Sequence, residues 1–551
     1  MNFICENYMK STEFPNMYNF SEDEILAIDE LLAVPDIKNF EIKKREIVKK
    51  YHLSRFPSNS QIIKRARDRN IQDNHPWIQQ LNRKPTRSIS GVSVVAIMLP
   101  PDLGISKGFK GSCPFSCAYC PSADNAPKSY IGKEPSTLRA ISYNYNPYEI
   151  TKGRIEQLRL IGHSANKIQV VLQGGTFLAM PENEQDRVLK DIYDGILNEP
   201  APTIEEAMKQ LETSENRCIG ITYETRPDFC KKPHVDRILE RLGTMIEIGV
   251  QTLSDDVLKK VKRGHKIKDV YEANQIARDA GFKITFHMMP NLYSTPQQDI
   301  DYFIELFNNP DLRPDGLKIY PLLVMQGTEV FNDWQNGNFD PYSDEELIDA
   351  LAKIKNDLPE YTRIHRIQRD IPGKYVSGGL HLGNLRNIVK DRMEEHGYTC
   401  SCIRCREIGH VQNQRGYIFP AKDELKLETY SYESCGGKEW FLSIVDPKTR
   451  VLFGFLRLRF PSPLAHRPEI TSKTAIVREL HVYGKEVHIG TDPDKKQSQH
   501  RGMGRQLMNE AENISIQHGY TELVVISGVG VREYYKKIGY TQKGPYMARF
   551  L

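Results

Sequence analysis

The sequence predicts an α/β chain: a partial barrel of six parallel strand-helix units, preceded by a basic helical segment and followed by a cysteine-rich connector and a smaller α/β domain. Three observations carry this. From Ser88 to about Val376, short β-branched runs alternate with helix-like stretches, the order of βα units around a parallel sheet. From about Arg415 the pattern changes to two or three strands, a glycine turn opening a helix, a further strand and a further helix. At 551 residues with 39% hydrophobic content, the chain has room for three or four cores. The boundaries fall at 1–86, 87–395, 396–414 and 415–551.

Composition excludes several classes. No apolar run of about 18 residues is present to span a bilayer, and Met1 to Lys10 lacks the charged and apolar regions of a signal peptide. A cytoplasmic chain with no membrane partner is expected. Ten cysteines then argue for metal ligands and free thiols rather than disulfides, and six of them sit in two tight clusters.

The first segment is basic at its centre, with ten Lys or Arg against four Asp or Glu between Glu41 and Asn74. Lys43, Lys44, Arg45, Lys49, Lys50, Lys64, Arg65, Arg67 and Arg69 could neutralise a phosphate backbone. Taken alone, such a run more often marks a solvated helix face.

The barrel strands are expected at Val92–Leu99, Ile168–Gln173, Cys218–Tyr223, Met245–Val250, Ile284–Met289 and Leu317–Tyr320. Chemistry in such barrels sits at the carboxyl ends of the strands. Polar residues follow that rule: Gly174-Gly175-Thr176, Glu224 to Asp228, Gln251-Thr252 and Pro290-Asn291 each follow a strand. After the first strand comes Cys113-Pro-Phe-Ser-Cys117-Ala-Tyr-Cys120, three thiolates on one loop. Three thiolates leave one iron of a [4Fe-4S] cube open to hold S-adenosylmethionine, the signature of radical-SAM enzymes. A zinc knuckle would need a fourth ligand, and no Cys or His lies between Pro121 and Leu160.

The connector carries Cys400, Cys402 and Cys405, a zinc site if a fourth ligand arrives from His365, His381, His396 or His410, and otherwise a set of reduced thiols. In the last segment Val451–Phe460 alternates as a half-buried strand, and Ile476–Tyr483 is a second. Gln499-His-Arg-Gly502-Met503-Gly504-Arg505 then opens a helix running to about His518, baring backbone N–H groups to a pyrophosphate. With strand 523–527 and Val531 to Tyr540 after it, this is the acetyl-CoA-binding order of the GNAT acetyltransferases. The fold class is thus α/β: a partial (βα)6 radical-SAM barrel with a basic helical amino-terminal segment, a cysteine-rich connector and a carboxyl-terminal GNAT domain.

This combination resembles the catalytic subunit of Elongator. The resemblance runs through Arg87-Ser-Ile-Ser-Gly-Val-Ser, Cys113 to Pro121, Gly174-Gly-Thr-Phe, Glu224-Thr-Arg-Pro-Asp, Glu247-Ile-Gly-Val-Gln-Thr, His287-Met-Met-Pro, Arg366-Ile-Gln-Arg-Asp-Ile-Pro, Glu479-Leu-His-Val-Tyr-Gly and Gly544-Pro-Tyr546. The compact spacing of Cys113 from Cys117 and Cys120 looks more like bacterial and archaeal relatives, while the stretch Pro101 to Lys110 before Cys113 is longer than is common. The resemblance implies addition of a carboxymethyl group at carbon 5 of the tRNA wobble uridine, from acetyl-CoA by a radical-SAM mechanism, with an anticodon loop and an electron donor as partners. It implies Lys167, Glu479, Leu480, His481, Val482, Met503, Gly504, Arg505 and Tyr535 as acetyl-CoA contacts, Lys167 and Tyr535 being catalytic and Tyr535 protonating a departing thiolate. Gly174, Gly175, Thr176, Glu224 and Gln251 are implied for S-adenosylmethionine. An anticodon loop offers unstacked bases on a charged backbone, which gives the basic segment a partner. The competing readings are a protein-lysine acetyltransferase on a structural iron-sulfur barrel, with Glu479 as the available base, and a non-catalytic assembly module. The oligomeric state, a homodimer included, is left open.

Overall fold

The computed structural model describes residues 21–33, 40–53, 57–71, 81, 89–101, 113–415, 417, 420–484 and 502–551. Gln499 lies outside them. They form two compact units, one of 1–88 with 152–166 and one of 89–151 with 167–551. Among the described residues no helix is long and apolar enough to cross a membrane.

The first unit is helical. Helices Glu22–Leu32 and Asn59–Asp68 each start in a capping box, Ser21 with Glu24 and Ser58 with Gln61, which satisfies amide donors that the first turn leaves unpaired. A small core of Ile28, Leu31, Ile47, Ile62 and Ile63 joins them to helix Phe40–Lys50. Arg67 donates to the carbonyls of Arg159 and His163, at 2.6 and 3.3 Å, within the same unit.

The second unit holds two seven-stranded sheets and a two-stranded ribbon. The barrel strands are β1 (Ser93–Met98), β2 (Lys167–Gln173), β3 (Arg217–Thr225), β4 (Met245–Gln251), β5 (Lys283–Met288), β6 (Gly316–Ile319) and β8 (Arg363–Arg366), all parallel and in that order; β7 (Leu323–Val324) and β9 (Gly378–Gly379) pair outside it. The six expected strands are present and a seventh is added. β8 reads Arg-Ile-His-Arg, four residues with one apolar side chain, too short and too polar for periodicity to signal.

The second sheet comprises β10 (Lys426–Ser434), β11 (Gly437–Val445), β12 (Leu452–Phe460), β13 (Thr474–Val482), β14 (Glu522–Val525), β15 (Thr541–Lys543) and β16 (Tyr546–Phe550), ordered β10-β11-β12-β13-β14-β16-β15. Helix Met503–Gln517 packs on it through Met503, Leu507, Met508 and Ala511. The expected half-burial of β12 is corrected: all nine residues are buried. Its alternating Arg457 and Arg459 look like a solvent face in sequence, yet both guanidiniums are enclosed by carboxylates.

Those carboxylates belong to a junction between sheet and barrel. Arg478 donates to Asp315 at 2.6 and 2.7 Å and to Glu439 at 3.1 and 2.8 Å. Arg459 holds Asp279 and Glu439, Arg457 holds Glu479 at 3.0 Å, and Arg278 reaches Asp315 at 3.3 Å. Four arginines thus face four carboxylates. Burial works against ionisation of Asp315, but Arg478, Arg278 and Arg457 outweigh it and hold its carboxyl well below the usual range. The barrel groups in contact lie at the amino-terminal ends of the strands: Tyr546 donates to Ala280 O, Arg457 to Tyr361 O and Arg478 to Phe282 O.

Candidate active site

At the opposite, carboxyl-terminal ends of the strands, the cysteine loop is pinned by backbone bonds. Ala118 N donates to Val261 O at 2.9 Å, Val330 N to Ala118 O at 3.2 Å, and Cys120 N to Cys117 O at 3.0 Å. Cys113 Sγ lies 3.6 Å from Thr176 Oγ1, so the loop meets the turn after β2. That turn is Gly174-Gly175, with φ of 110° and 105°, a region open to glycine. A side chain on Gly174 would come within 3.2 Å of Leu99. Two buried guanidiniums converge on Cys117 Sγ: Arg263 Nη1 at 3.6 Å and Arg226 Nη1 at 3.9 Å. Burial, with the neighbouring Cys117 and Cys113, pushes the Cys120 thiol up to about 11. An all-sulfur donor set on one loop, with cations to compensate thiolates, fits an iron-sulfur cluster.

Beneath the loop, Glu224 and Gln251 line the same end. Gln251 closes β4 with φ 74°, a left-handed conformation uncommon for a non-glycine residue. Glu224 accepts from Lys318 Nζ at 3.0 Å, and Lys318 also pairs with Glu247, which lies 3.0 Å from His287 Nε2. Burial opposes both charges, but mutual attraction keeps Glu247 low and Lys318 high, so the pair is ionic. Lys318, Glu247, Arg226 and Arg263 escaped sequence reasoning as site residues. Glu224-Thr-Arg-Pro-Asp and Glu247-Ile-Gly-Val-Gln stand in quoted motifs, but Lys318 and Arg263 sit in plain strand and turn sequence.

In the second sheet, β13 and β14 run parallel only from Thr474↔Glu522 to Val477↔Val525, and their ladder stops there. Glu479, Leu480, His481 and Val482 follow the parting point. Gly502, with φ 77°, caps helix Met503–Gln517 at that end, and Arg505 is exposed on its first turn. A Cβ on Gly504 would stand 3.0 Å from the Tyr534 hydroxyl, which is buried and has no hydrogen-bond partner among the described residues. Tyr535 is buried beside Tyr534, and burial pushes its phenol up. Lys167 opens β2 at the floor of the barrel, paired in register with Arg217. A Cβ on Gly530, just ahead of Tyr535's helix, would lie 2.9 Å from Arg217 Cα, so Lys167 falls on the side of this domain. Burial opposes ionisation of Glu479, but Lys283 and Arg457 hold its carboxyl below the usual range, a poor setting for a base.

The sulfurs of Cys400, Cys402 and Cys405 lie within 4.8 Å of one another. A tetrahedral zinc with Zn–S near 2.3 Å needs sulfurs about 3.8 Å apart. The expected fourth ligand is not supplied: among the described residues none of His365, His381, His396 and His410 joins the group. His365 instead lies against Gly316 in the barrel, where a Cβ would stand 2.7 Å from its Nε2, and His410 lies 3.4 Å from Glu407.

The basic residues are largely engaged. Lys43 pairs with Glu46, Lys50 with Glu30, Lys64 with Asp68, and Arg65 and Arg69 with Asp29. Lys44 has a partner as well. Arg45 and Lys49 are exposed and make no ion pair among the described residues. Folding therefore spends much of the apparent basic patch on internal carboxylates.

Three family models match the chain: the Radical SAM superfamily over residues 109–307, the Radical_SAM C-terminal domain over 314–395 and the Acetyltransferase (GNAT) domain over 488–549. The chain is 41% identical to the tRNA uridine(34) acetyltransferase of Methanocaldococcus jannaschii, over 94% of each chain. It is 42% identical to Elongator complex protein 3 of Schizosaccharomyces pombe, covering 96% of this chain and 97% of that one. Among solved structures it is similar to the archaeal Methanocaldococcus infernus Elp3 with an N-terminus deletion (1–46), with a TM-score of 0.74 and 39% identity over 84% of this chain and 100% of that chain.

Proposed function

Because the chain belongs to the family of the tRNA uridine(34) acetyltransferases and Elongator complex protein 3, a family that modifies the wobble uridine of tRNA, we propose that the group it adds is a carboxymethyl at carbon 5, drawn from acetyl-CoA. The observation that supports this reading is the presence in one compact unit of a three-thiol loop and a glycine-opened helix start beside parting strands.

Carbon 5 of a uracil is not basic and an acetyl methyl is scarcely acidic, so polar chemistry joins them poorly. A [4Fe-4S] cluster with S-adenosylmethionine supplies the radical chemistry that this bond requires. Cys113, Cys117 and Cys120 would hold the cluster, and Gly174, Gly175, Thr176, Glu224 and Gln251 the S-adenosylmethionine. Glu224 is tied to Lys318, which fixes its carboxylate at the strand end. On the other side Gly502, Met503, Gly504 and Arg505, with Gln499, would take the pyrophosphate on bare N–H groups. Glu479, Leu480, His481 and Val482 offer backbone along the parting strands. Tyr535, kept protonated by burial, is suited to donate its proton to a departing thiolate, and Lys167 lies on the same side. The two halves occupy opposite ends of one barrel, so the pantetheine arm has to carry the acetyl group between them. Cys400, Cys402 and Cys405 would hold zinc with one ligand still to be supplied. A reductant is required, and Arg45 and Lys49 are the side chains best placed for RNA phosphates.

Protein-lysine acetylation is less well supported, since its available base, Glu479, is neutralised by Arg457. The test is anaerobic incubation of reconstituted protein with acetyl-CoA, S-adenosylmethionine, reductant and bulk tRNA, followed by nucleoside mass analysis. A carboxymethylated uridine is expected, lost in Cys113→Ser, Cys117→Ser and Cys120→Ser. Its formation by an iron-free variant would exclude the radical route, and acetylated lysine peptides made without S-adenosylmethionine would favour the alternative.

A further inference from the structure

The run Arg366-Ile-Gln-Arg-Asp-Ile-Pro belongs to neither proposed cofactor seat, yet its polar side chains bind neighbouring segments together. Gln368 donates to Leu382 O and accepts from Leu385 N at 3.4 Å. Arg369 donates to Ser129 O and lies 5.6 Å from the centre of the Tyr130 ring. Arg366 ends β8 beside Lys318 in register and pairs with Asp370 at 2.8 Å. Two residues beyond Lys318 comes Tyr320, whose N–H donates to Met288 O at 2.8 Å and whose ring stands edge-on to His287, centres 5.4 Å apart. The run thus joins the segment of Tyr130 and the segment 382–387 to the carboxyl-terminal ends of β6 and β8.

Two kinds of group are left unanswered there. Tyr130 and Tyr320 are half-buried, and neither hydroxyl has a hydrogen-bond partner among the described residues, where a buried phenol usually finds one. Burial pushes both phenols up, and Glu224 acts on both, so they share one neighbourhood. Arg386 donates to the carbonyls of Ile364 and His365 at 3.3 and 3.2 Å and has no carboxylate partner among the described residues. With Arg366, Gln368, Asn384 and Asn387 it lines a cavity of about 230 Å³. The one carboxylate in that lining, Asp370, is already paired with Arg366, so Arg386 leaves the cavity positive. A pocket that encloses a whole small-molecule ligand takes about 300–1,000 Å³. This one is smaller and suits a single phosphodiester group, with the attached base lying outside it.

We propose that this end of the barrel seats the nucleotide to be modified, Arg386 and Arg366 holding a phosphate in the cavity while the Tyr320 ring carries the base, with Tyr130 beside it. This rests on the tRNA reading. A guanidinium meets phosphate in a planar, two-point fashion. A tyrosine ring offers an unstacked base a π-face, and the two free phenols can donate to the carbonyls of a uracil. Lys318, which holds Glu224, is one pleat below Tyr320, so a base on that ring lies beside the proposed S-adenosylmethionine seat.

The experiment measures binding of an anticodon stem-loop RNA to the full chain by fluorescence anisotropy, without cofactors, the RNA carrying either uridine or an abasic sugar at the wobble position. In the parent, loss of the base should weaken binding about tenfold. Tyr320→Ala should weaken binding of the uridine RNA by a similar factor and leave the abasic RNA at its parental affinity, because ring and base act as a pair. Tyr320→Phe, which keeps the ring, should retain most of the base effect. Arg386→Gln should weaken both RNAs alike and flatten the slope of log affinity against log salt by roughly 0.7 for the lost phosphate contact, whereas Arg386→Lys should keep the slope. A parent indifferent to the missing base, an abasic penalty undiminished in Tyr320→Ala, or a parental slope in Arg386→Gln would each overturn the proposal. Where either variant does not melt like the parent, Tyr320→Leu and Arg386→Met, which keep the bulk, decide by the same criteria. A parent chain that binds neither RNA would instead overturn the tRNA reading beneath it.

Discussion

Replacing Arg478 with methionine tests the ionic junction between the acetyltransferase sheet and the barrel. Arg478 is fully buried and makes four bonds of 2.6 to 3.1 Å to Asp315 and Glu439. Its removal leaves three arginines against the four carboxylates Asp279, Asp315, Glu439 and Glu479. Breaking a buried pair from one side costs about 3–5 kcal/mol, because the remaining charge is left uncompensated. With an unfolding entropy of about 2.1 cal/mol/K per residue, a unit of this size shifts by about 1 °C per kcal/mol, so the unfolding midpoint should fall by about 3–5 °C. Adding Asp315→Asn restores three against three, so the double variant should recover part of the loss. The pH dependence has a definite sign. Asp315 is held below its unfolded value of about 3.9, so its contribution is complete above about pH 4 and is lost as pH falls further. Without Arg478 the native-state value rises towards the unfolded one, so the loss still begins near pH 4 but is smaller and is complete at a higher pH. The assay is thermal unfolding by calorimetry between pH 3.5 and 7 for the parent, single and double variants. A single variant within a degree of the parent, or a double variant no better than the single, would refute the charge-balance reasoning.

Gly504→Glu places a Cβ 3.0 Å from the Tyr534 hydroxyl and adds negative charge at the turn proposed to take the pyrophosphate; calorimetry should show acetyl-CoA binding weakened at least about 100-fold, on the order of 2.7 kcal/mol, with the cluster spectrum unchanged. Purified protein should carry about one zinc per chain, lost on paired serine changes at Cys400 and Cys402, and metal analysis finding iron alone would leave these as free thiols. Charge reversal at Arg45 and Lys49 should weaken tRNA binding similarly across sequences and flatten the salt slope by roughly one unit per lost phosphate contact. Reversal at Arg65 should instead destabilise the helical unit by about 1 kcal/mol, because Asp29 would lose its bidentate partner at a partly exposed site; unchanged stability there would show that pair to be dispensable.

Local patterns gave a faithful account wherever chemistry depends on neighbours in the chain. The loop Cys113 to Cys120, the glycine turn after β2 and the glycine start of helix Met503–Gln517 are each set by a few consecutive residues, the two turns by glycines that reach positive φ. Parallel strands such as β4 announce themselves because burial on both faces demands continuous apolar sequence. These features, and the motif order that marks the family, were determined by the sequence itself.

What the tertiary structure decided is where the charges go. Arg457 and Arg459 alternate with apolar residues as a solvent face would, and only the packing of β12 against the barrel turns them inward to Asp279, Asp315, Glu439 and Glu479. The lysines and arginines near Lys43 to Arg69 look like one basic patch until Asp29 and Glu30, far off in sequence, pair with Lys50, Arg65 and Arg69. Lys318 and Arg263 meet partners 71 and 146 residues away. Electrostatic energy depends on distance in space and on local dielectric, neither of which is encoded in residue spacing along the chain.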